Sequence, residues 1–250
     1  DKKIASATFL TTLIDFNEAG DLALFVDDNH LKLIDEKMKK TGILEGSDLR
    51  HTFSLLRAND LIWSFVVNNY MMGKEPFPFD LLYWNDDSTN MPAAMHSFYL
   101  RNMYRDNKLC KIDGITIDNV KIDVRKIKVP SYFISTKEDH IAPWKSTYDG
   151  MMLLDGDKTF VLSASGHVAG IINPPAAHKY HYWVNPILDD REYPDEWLAK
   201  AKQEKGSWWS HWAEWVKKTA STQTPARPVG CGKFKVIEPA PGRYVQKKAN

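Results

Sequence analysis

The stretch that most constrains this chain runs from residue 131 to residue 170, SYFISTKEDHIAPW through TFVLSASGHVAG. Each half opens on a short apolar run, SYFIS and TFVLS, with the length and bulk of a buried strand. Each run ends at an abrupt polar turn holding a titratable residue, Asp139 in KEDH and His167 in SGHVAG. Between them WKSTYDGMMLLDGD has room for one short helix, opened by Pro143 and Trp144. Parallel strands aim their C-terminal loops at one crevice. An acid there can hold a neighbouring imidazole in one tautomer, ready to take a proton from a nucleophile. Taken singly, Asp139 reads as a turn residue or helix N-cap, and His167 as a solvated histidine in a glycine-flanked turn. Their order, each at a strand end, is what points to catalysis.

Strand, acid, helix, strand, histidine is the closing order of an α/β-hydrolase, in which the nucleophile comes first. The fold expected is therefore α/β: the C-terminal part of an α/β-hydrolase core sheet with a mostly helical cap, or lid, inserted. Residues 1–19 are expected to hold one core strand, 20–110 the cap, and 111–250 the rest of the core with a Trp-rich helix and a tail. A connection as long as 20–110 exceeds what a simple crossover needs.

Along the chain, residues 4–16 read as a first, buried strand, and the chain opens DKKIASATFLTTLIDF with no Met, so Asp1 is not expected to be the native start. Residues 20–40 read as a helix with Leu22, Phe25, Val26 and Leu33 on its apolar stripe, ended by Gly42. Two further helices are expected before residue 73. Ser47 or Asp48 caps the first and Asn59 or Asp60 the second, whose apolar face is Leu61, Ile62, Phe65, Val66 and Tyr70. Pro76 and Pro78 break regular structure, DLLYWND is a short apolar stretch, and Pro92 opens a helix through Tyr104. GITIDNVKIDVRKIKVP, within residues 109–130, alternates as a small hairpin does. INPPAAHKYHYWVNP reads as an aromatic-rich loop. Residues 194–219 read as helical with a break near Gly206, and Trp208, Trp212 and Trp215 form a stripe expected to dock on the core, a lipid or polymer surface being the alternative. STQTPARPVG and the Pro-punctuated ending read as linker and extended tail.

Composition narrows the function classes. A formal net charge of +1 argues against a nucleic-acid partner held by a basic face. No run of about 18 apolar residues exists, so no membrane span is expected. Two cysteines, Cys110 and Cys231, make no disulfide framework and suit a reducing cytosol. No metal-ligand spacing or phosphate-binding glycine loop stands out.

The runs ATFLTTLIDF, NDLIWSFVVNNYMMGKEPFPFDLLYWNDDSTNMP, STKEDHIAPW, LSASGHVAGIINPP, GSWWSHWAEW and EPAPGRYV together resemble the C-terminal catalytic region of class I polyhydroxyalkanoate synthases. The likeness covers nearly the whole chain. It implies an α/β-hydrolase core with a mobile cap and a Cys–His–Asp triad, with Asp139 matching the acid and His167 the base. It implies polymerisation of (R)-3-hydroxyacyl-CoA, such as 3-hydroxybutyryl-CoA, into polyester. Coenzyme A is then part of the substrate and the leaving group, and no separate cofactor is implied. It further implies a homodimer, in the cytoplasm, at the surface of the polymer granule.

One departure matters. The family's nucleophile is a Cys in a G-x-C-x-G elbow, and neither that motif nor G-x-S-x-G occurs here. Cys110 in NKLCKIDG and Cys231 in VGCGKF sit in no strand-to-helix elbow. The nucleophile and the main-chain N–H of the oxyanion hole are expected upstream of this chain, which alone should be inactive. A Ser-dependent esterase or depolymerase and a non-catalytic scaffold are the rival readings. Trp63, Phe65, Tyr83 and Trp84 are candidates for an aromatic, water-excluding cap, or else for ordinary cap packing.

Overall fold

The computed structural model describes residues 3–56, 58–76, 87–187, 192–220 and 222–247. In chain order the strands are β1 (Ala7–Leu10), β2 (Ile43–Leu44), β3 (Met91–Pro92), β4 (Ile115–Ile117), β5 (Val120–Ile122), β6 (Ser131–Thr136), β7 (Lys158–Ser163), β8 (His181–Val184) and β9 (Lys202–Lys205). The α-helices are α1 (Asp28–Met38), α2 (Gly46–Leu56), α3 (Ala93–Tyr99), α4 (Trp144–Met152), α5 (Pro194–Lys200) and α6 (Trp209–Thr219). The chain divides into two compact units, Asp1–Asp28 with Phe98–Gln223, and Asn29–Ser97 with Thr224–Asn250.

The first unit is of the α/β class: a mixed five-stranded sheet in the order β1-β6-β7-β8-β9, with helices on both faces. β1, β6 and β7 run parallel, and β8 and β9 return antiparallel. All six residues of β6 are buried, so SYFIST carries apolar or hydroxyl side chains on both faces. On one face Phe133, Phe160 and Leu162 pack against Trp144, Tyr148 and Met151 of α4 and Trp197 of α5. On the other, Tyr132, Ile134 and Val161 meet Trp208, with Trp212 and Trp215 packed beside them. The expected Trp stripe thus docks on the sheet. Fully burying each large aromatic of these layers is worth about 1.5–3 kcal/mol. The GITIDNVKID hairpin forms as β4 and β5, turned by Asp118 and Asn119 at φ 48° and 62°.

Several boundaries differ from the sequence reading. The first strand is four residues, not thirteen, because Thr11 turns left-handed at φ 44°. Its residues alternate between half-buried and exposed, and Leu10 is 48% exposed, so it is not a buried strand. The stretch 20–40 is two elements, a 3-10 turn over Gly20–Phe25 and then α1. β8 lies within the supposed aromatic loop, and 194–219 is helix, strand, helix, because KQEK (β9) pairs with β8.

In the second unit α1 buries Leu31 and Met38 and exposes Leu33, which the stripe had placed inside. Gly42 ends this helix as expected, at φ 74°, its amide donating to the carbonyl of Met38 at 2.8 Å. α2 begins at Gly46, whose amide donates to Asn90 Oδ1 (2.9 Å), so neither Ser47 nor Asp48 is its cap; Asp48 instead pairs with Lys37 at 2.5 Å. Asn59 caps nothing: Ala58 is already helical, and the chain continues in π-helical turns over Asn59–Trp63 and Val66–Met71. α3 starts behind Pro92 as read and passes into π-helical turns at Leu100–Arg105. The side chain of Asp60, and Pro78 and the whole of DLLYWND with Tyr83 and Trp84, lie outside the described residues.

Candidate active site

β6 and β7 end side by side, and the turns that follow are joined by backbone. The Lys137 amide donates to the Ser163 carbonyl (2.8 Å) and the Glu138 amide to the Ser165 carbonyl (3.1 Å). Ser165 is left-handed at φ 75°, a conformation that costs a non-glycine residue on the order of 1 kcal/mol. These bonds carry the KEDH turn and the SGHVAG turn to the same end of the sheet.

The two residues singled out from the sequence meet there. His167 Nδ1 lies 2.8 Å from Asp139 Oδ2. The other carboxylate oxygen, Oδ1, accepts the amides of Ile141 (2.9 Å) and Ala142 (2.8 Å), and the Thr136 hydroxyl donates to Oδ2 at 3.3 Å. The Asp139 side chain is fully buried, whereas that of His167 is 31% exposed. Burial pushes the Asp139 carboxyl upward, but the His167 hydrogen bond and the Ala142 and Ile141 amides outweigh it and hold the carboxyl below the usual carboxylate range. An ionised acceptor facing Nδ1 assigns the ring proton to Nδ1 and leaves Nε2 as the basic nitrogen.

Beside these two turns, backbone packing leaves no room for a side chain at Gly170 and Gly20. A Cβ on Gly170 would stand 2.5 Å from both the Ala164 carbonyl oxygen and Thr136 Cγ2, and one on Gly20 2.7 Å from the His140 carbonyl oxygen. Gly170 closes the His167 turn; Gly20, at φ 68°, seats against the Asp139 turn.

Neither cysteine looks like an activated thiol. Cys110 Sγ donates to the Asn107 carbonyl at 3.0 Å, and burial, then the Asp15 charge, pushes its pKa up. Cys231 is exposed in the other unit. Thr136 and the Ile141 and Ala142 amides were not read from the sequence; amides carry no residue signature, and a threonine in an apolar run looks like any β-branched strand residue. Among the described residues no group of three or more His, Cys, Asp or Glu side chains is placed to hold a metal, and no helix is long and apolar enough to cross a membrane.

No family model matches the chain. Among curated proteins, it is 49% identical over 249 residues to the poly(3-hydroxyalkanoate) polymerase subunit PhaC of Rhizobium meliloti (strain 1021), covering 100% of this chain and 40% of the relative. It is 47% identical to the poly(3-hydroxyalkanoate) polymerase of Methylorubrum extorquens, over 100% of the chain and 41% of the relative. It is 45% identical to the polymerase subunit PhaC of Cupriavidus necator, over 98% of the chain and 42% of the relative. The chain thus spans about two fifths of the length of these relatives. Along its whole length the chain is similar to a part of these poly(3-hydroxyalkanoate) polymerases.

Proposed function

We propose that these residues carry the acid and the base of a poly(3-hydroxyalkanoate) polymerase built on an α/β-hydrolase core. The observation that carries this reading is the 2.8 Å bond between a buried Asp139 and a partly exposed His167, at the ends of adjacent parallel strands. The relatives' names supply the product, a poly(3-hydroxyalkanoate); the family resemblance implies the substrate class, (R)-3-hydroxyacyl-CoA.

The attacking group is a cysteine thiol from a part of the polymerase outside these residues. His167 Nε2 takes the thiol proton, and the thiolate attacks the thioester carbonyl. The C–S bond to coenzyme A breaks, and the leaving thiolate takes the proton back from the imidazolium. His167 then accepts the proton of a 3-hydroxyl. That oxygen attacks the acyl-enzyme, an ester bond forms, and the enzyme thiolate is released and reprotonated. Asp139 keeps the ring in one tautomer and stabilises the imidazolium at each pass. No cofactor beyond the substrate's own coenzyme A enters these steps.

Residues 20–110 act as a cap that excludes water, without which the acyl-enzyme would hydrolyse. Trp63 and Phe65, with Tyr83 and Trp84, are the aromatic candidates for that role. Pairing of two copies and attachment to the polyester granule in the cytoplasm follow from the same reading. The test is coenzyme A release from 3-hydroxybutyryl-CoA by a polymerase containing these residues. Changing His167→Ala should abolish it, and activity surviving that change removes His167 from the chemistry.

A further inference from the structure

We infer that Trp208 and Trp209 are positioning residues for His167, acting through a shared hold on the carbonyl of Ile171. The inference deepens the reading of His167 as the base and takes its chemical meaning from it. Trp208 Nε1 donates to the Ile171 oxygen at 3.2 Å, and Trp209 Nε1 donates to the same oxygen at 2.9 Å. The two indoles stand edge to face, with ring centroids 6.4 Å apart and planes at 78°. One carbonyl has two lone pairs, and here each meets its own N–H.

Ile171 belongs to the turn that presents His167. The Gly170 amide donates to the Gly166 carbonyl (2.9 Å), and the Ile171 and Ile172 amides both donate to the Val168 carbonyl (3.2 and 2.9 Å). The Ser163 hydroxyl holds the Gly170 carbonyl at 2.9 Å. On the incoming side the Ser165 carbonyl receives the Glu138 amide. The turn is therefore a small hydrogen-bonded cage with His167 at its tip. Its outgoing leg is fixed by a strand hydroxyl at Gly170 and by the two indoles at Ile171.

The support behind the indoles is firm. Trp208 is only 5% exposed, the Trp209 amide donates to Ser207 Oγ (3.1 Å), and Trp212 Nε1 donates to the Thr8 hydroxyl at 3.0 Å, tying α6 to β1. Packing alone would not require two N–H groups to converge on one oxygen. Among the described residues the Trp-rich helix shares no hydrogen bond with Asp139 or His167, and the arrangement couples it to the alignment of the imidazole through Ile171.

The test reads geometry, not turnover. On the 250-residue chain, NMR follows the His167 Nδ1–H resonance and its exchange with water, and urea denaturation reports global stability. Trp208→Phe or Trp209→Phe alone leaves the Ile171 carbonyl one donor, so exchange should quicken by about threefold. The double change leaves that oxygen without either donor, and exchange should quicken by well over about tenfold, more than the product of the single effects. Exchange and chemical shift unchanged in Trp209→Phe overturn the inference, as does exchange that rises only in step with lost global stability. Should the double variant not fold, half-buried Trp209→Phe decides alone. Because coenzyme A release by the His167→Ala polymerase is measured separately, the hold on Ile171 and the polymerase reading can each fail without the other.

Discussion

The strand ends around Asp139 and the helices of residues 46–72 show two ways for an apolar pattern to be used. In the first region the apolar runs are buried: Tyr132, Phe133, Ile134, Phe160, Val161 and Leu162 are all 0% exposed. In the second they are displayed: Trp63 is 57%, Tyr70 87% and Met71 75% exposed. The helical periodicity is as good in one as the strand pattern is in the other. A buried strand cannot shift without moving both of its faces, so it fixes the turn at its end and the acid or base that turn carries. A helix with its apolar face uncovered fixes nothing beyond itself. The geometry proposed for catalysis belongs to the first region, and a surface open to covering to the second.

The largest effect that sharpens this contrast is Asp139→Asn. The amide can keep its oxygen toward the Ile141 and Ala142 N–H groups, but it then turns an NH2 toward His167 Nδ1 and forces the opposite tautomer. In a polymerase containing these residues, coenzyme A release should fall on the order of 10⁴-fold with the fold retained. A loss under about tenfold would mean that the carboxylate is a turn residue after all.

Next come changes in packing. Phe133→Ala, beneath Phe9 at a ring separation of 4.3 Å, should cost about 3–5 kcal/mol in urea denaturation. Gly170→Ala drives a methyl into Thr136 and the Ala164 carbonyl and should cost at least about 1–3 kcal/mol while displacing His167. Leu33→Ala, by contrast, at a helix position 68% exposed, should stay within about 0.5 kcal/mol. A Leu33 effect as large as that of Phe133 would erase the distinction between the regions.

These numbers also explain what was legible in the sequence. SYFIST and TFVLS could be read because two-sided burial demands an unbroken apolar run, and each turn announced itself by a titratable residue. Asp139 and His167 followed from that, and the docking Trp stripe from the i, i+4, i+7 spacing of Trp208, Trp212 and Trp215. KQEK could not be read as a strand, since it holds no apolar residue and is a strand only because β8 offers it backbone partners. Thr11 ends β1 by a backbone turn that its side chain does not advertise. The stripe through Leu33 failed because the break after Phe25 resets the helix phase, so Leu31 and Met38 face inward instead. π-helical turns cannot be told from α-helical ones by counting apolar positions over so short a span.

Acid brings a smaller effect to both regions. Burial lowers the pKa of His211, on α6, and the nearby Lys218 lowers it further while Glu204 opposes. Burial likewise lowers His96 in the helical unit, against the charge of Asp35. The Tyr132 hydroxyl, whose own pKa burial pushes far up, lies 3.0 Å from His211 Nδ1, within hydrogen-bond reach of the ring. An unfolded histidine protonates near pH 6.5, and these folded ones do so lower, so the unfolded chain binds more protons in between. Stability is full above about pH 6.5 and declines as pH falls through the folded values. Asp139, also depressed, adds a second decline below about pH 4. Urea midpoints against pH should show both, and His211→Gln should flatten the first. A first decline unaltered by that change would assign it to His96 and the helical unit.

The smallest predicted effect is the most telling about the exposed face. Tyr70 lies in the π-helical turn Val66–Met71, and its sequence spacing put it on an inward stripe with Phe65 and Val66. At 87% exposure it buries little, so Tyr70→Ser should move the urea midpoint by no more than about 0.5 kcal/mol equivalent in dilute chain. The same change made at high chain concentration, or with polyester present, separates two uses of the face. If the apolar surface around Trp63, Tyr70 and Met71 is covered by another copy or by polymer, Tyr70→Ser should weaken that association while leaving the dilute chain as stable as before. A cost above about 1 kcal/mol in the dilute chain would instead show Tyr70 packed within its own fold, and would make the helical unit follow the same buried-run logic as the strands that hold Asp139 and His167.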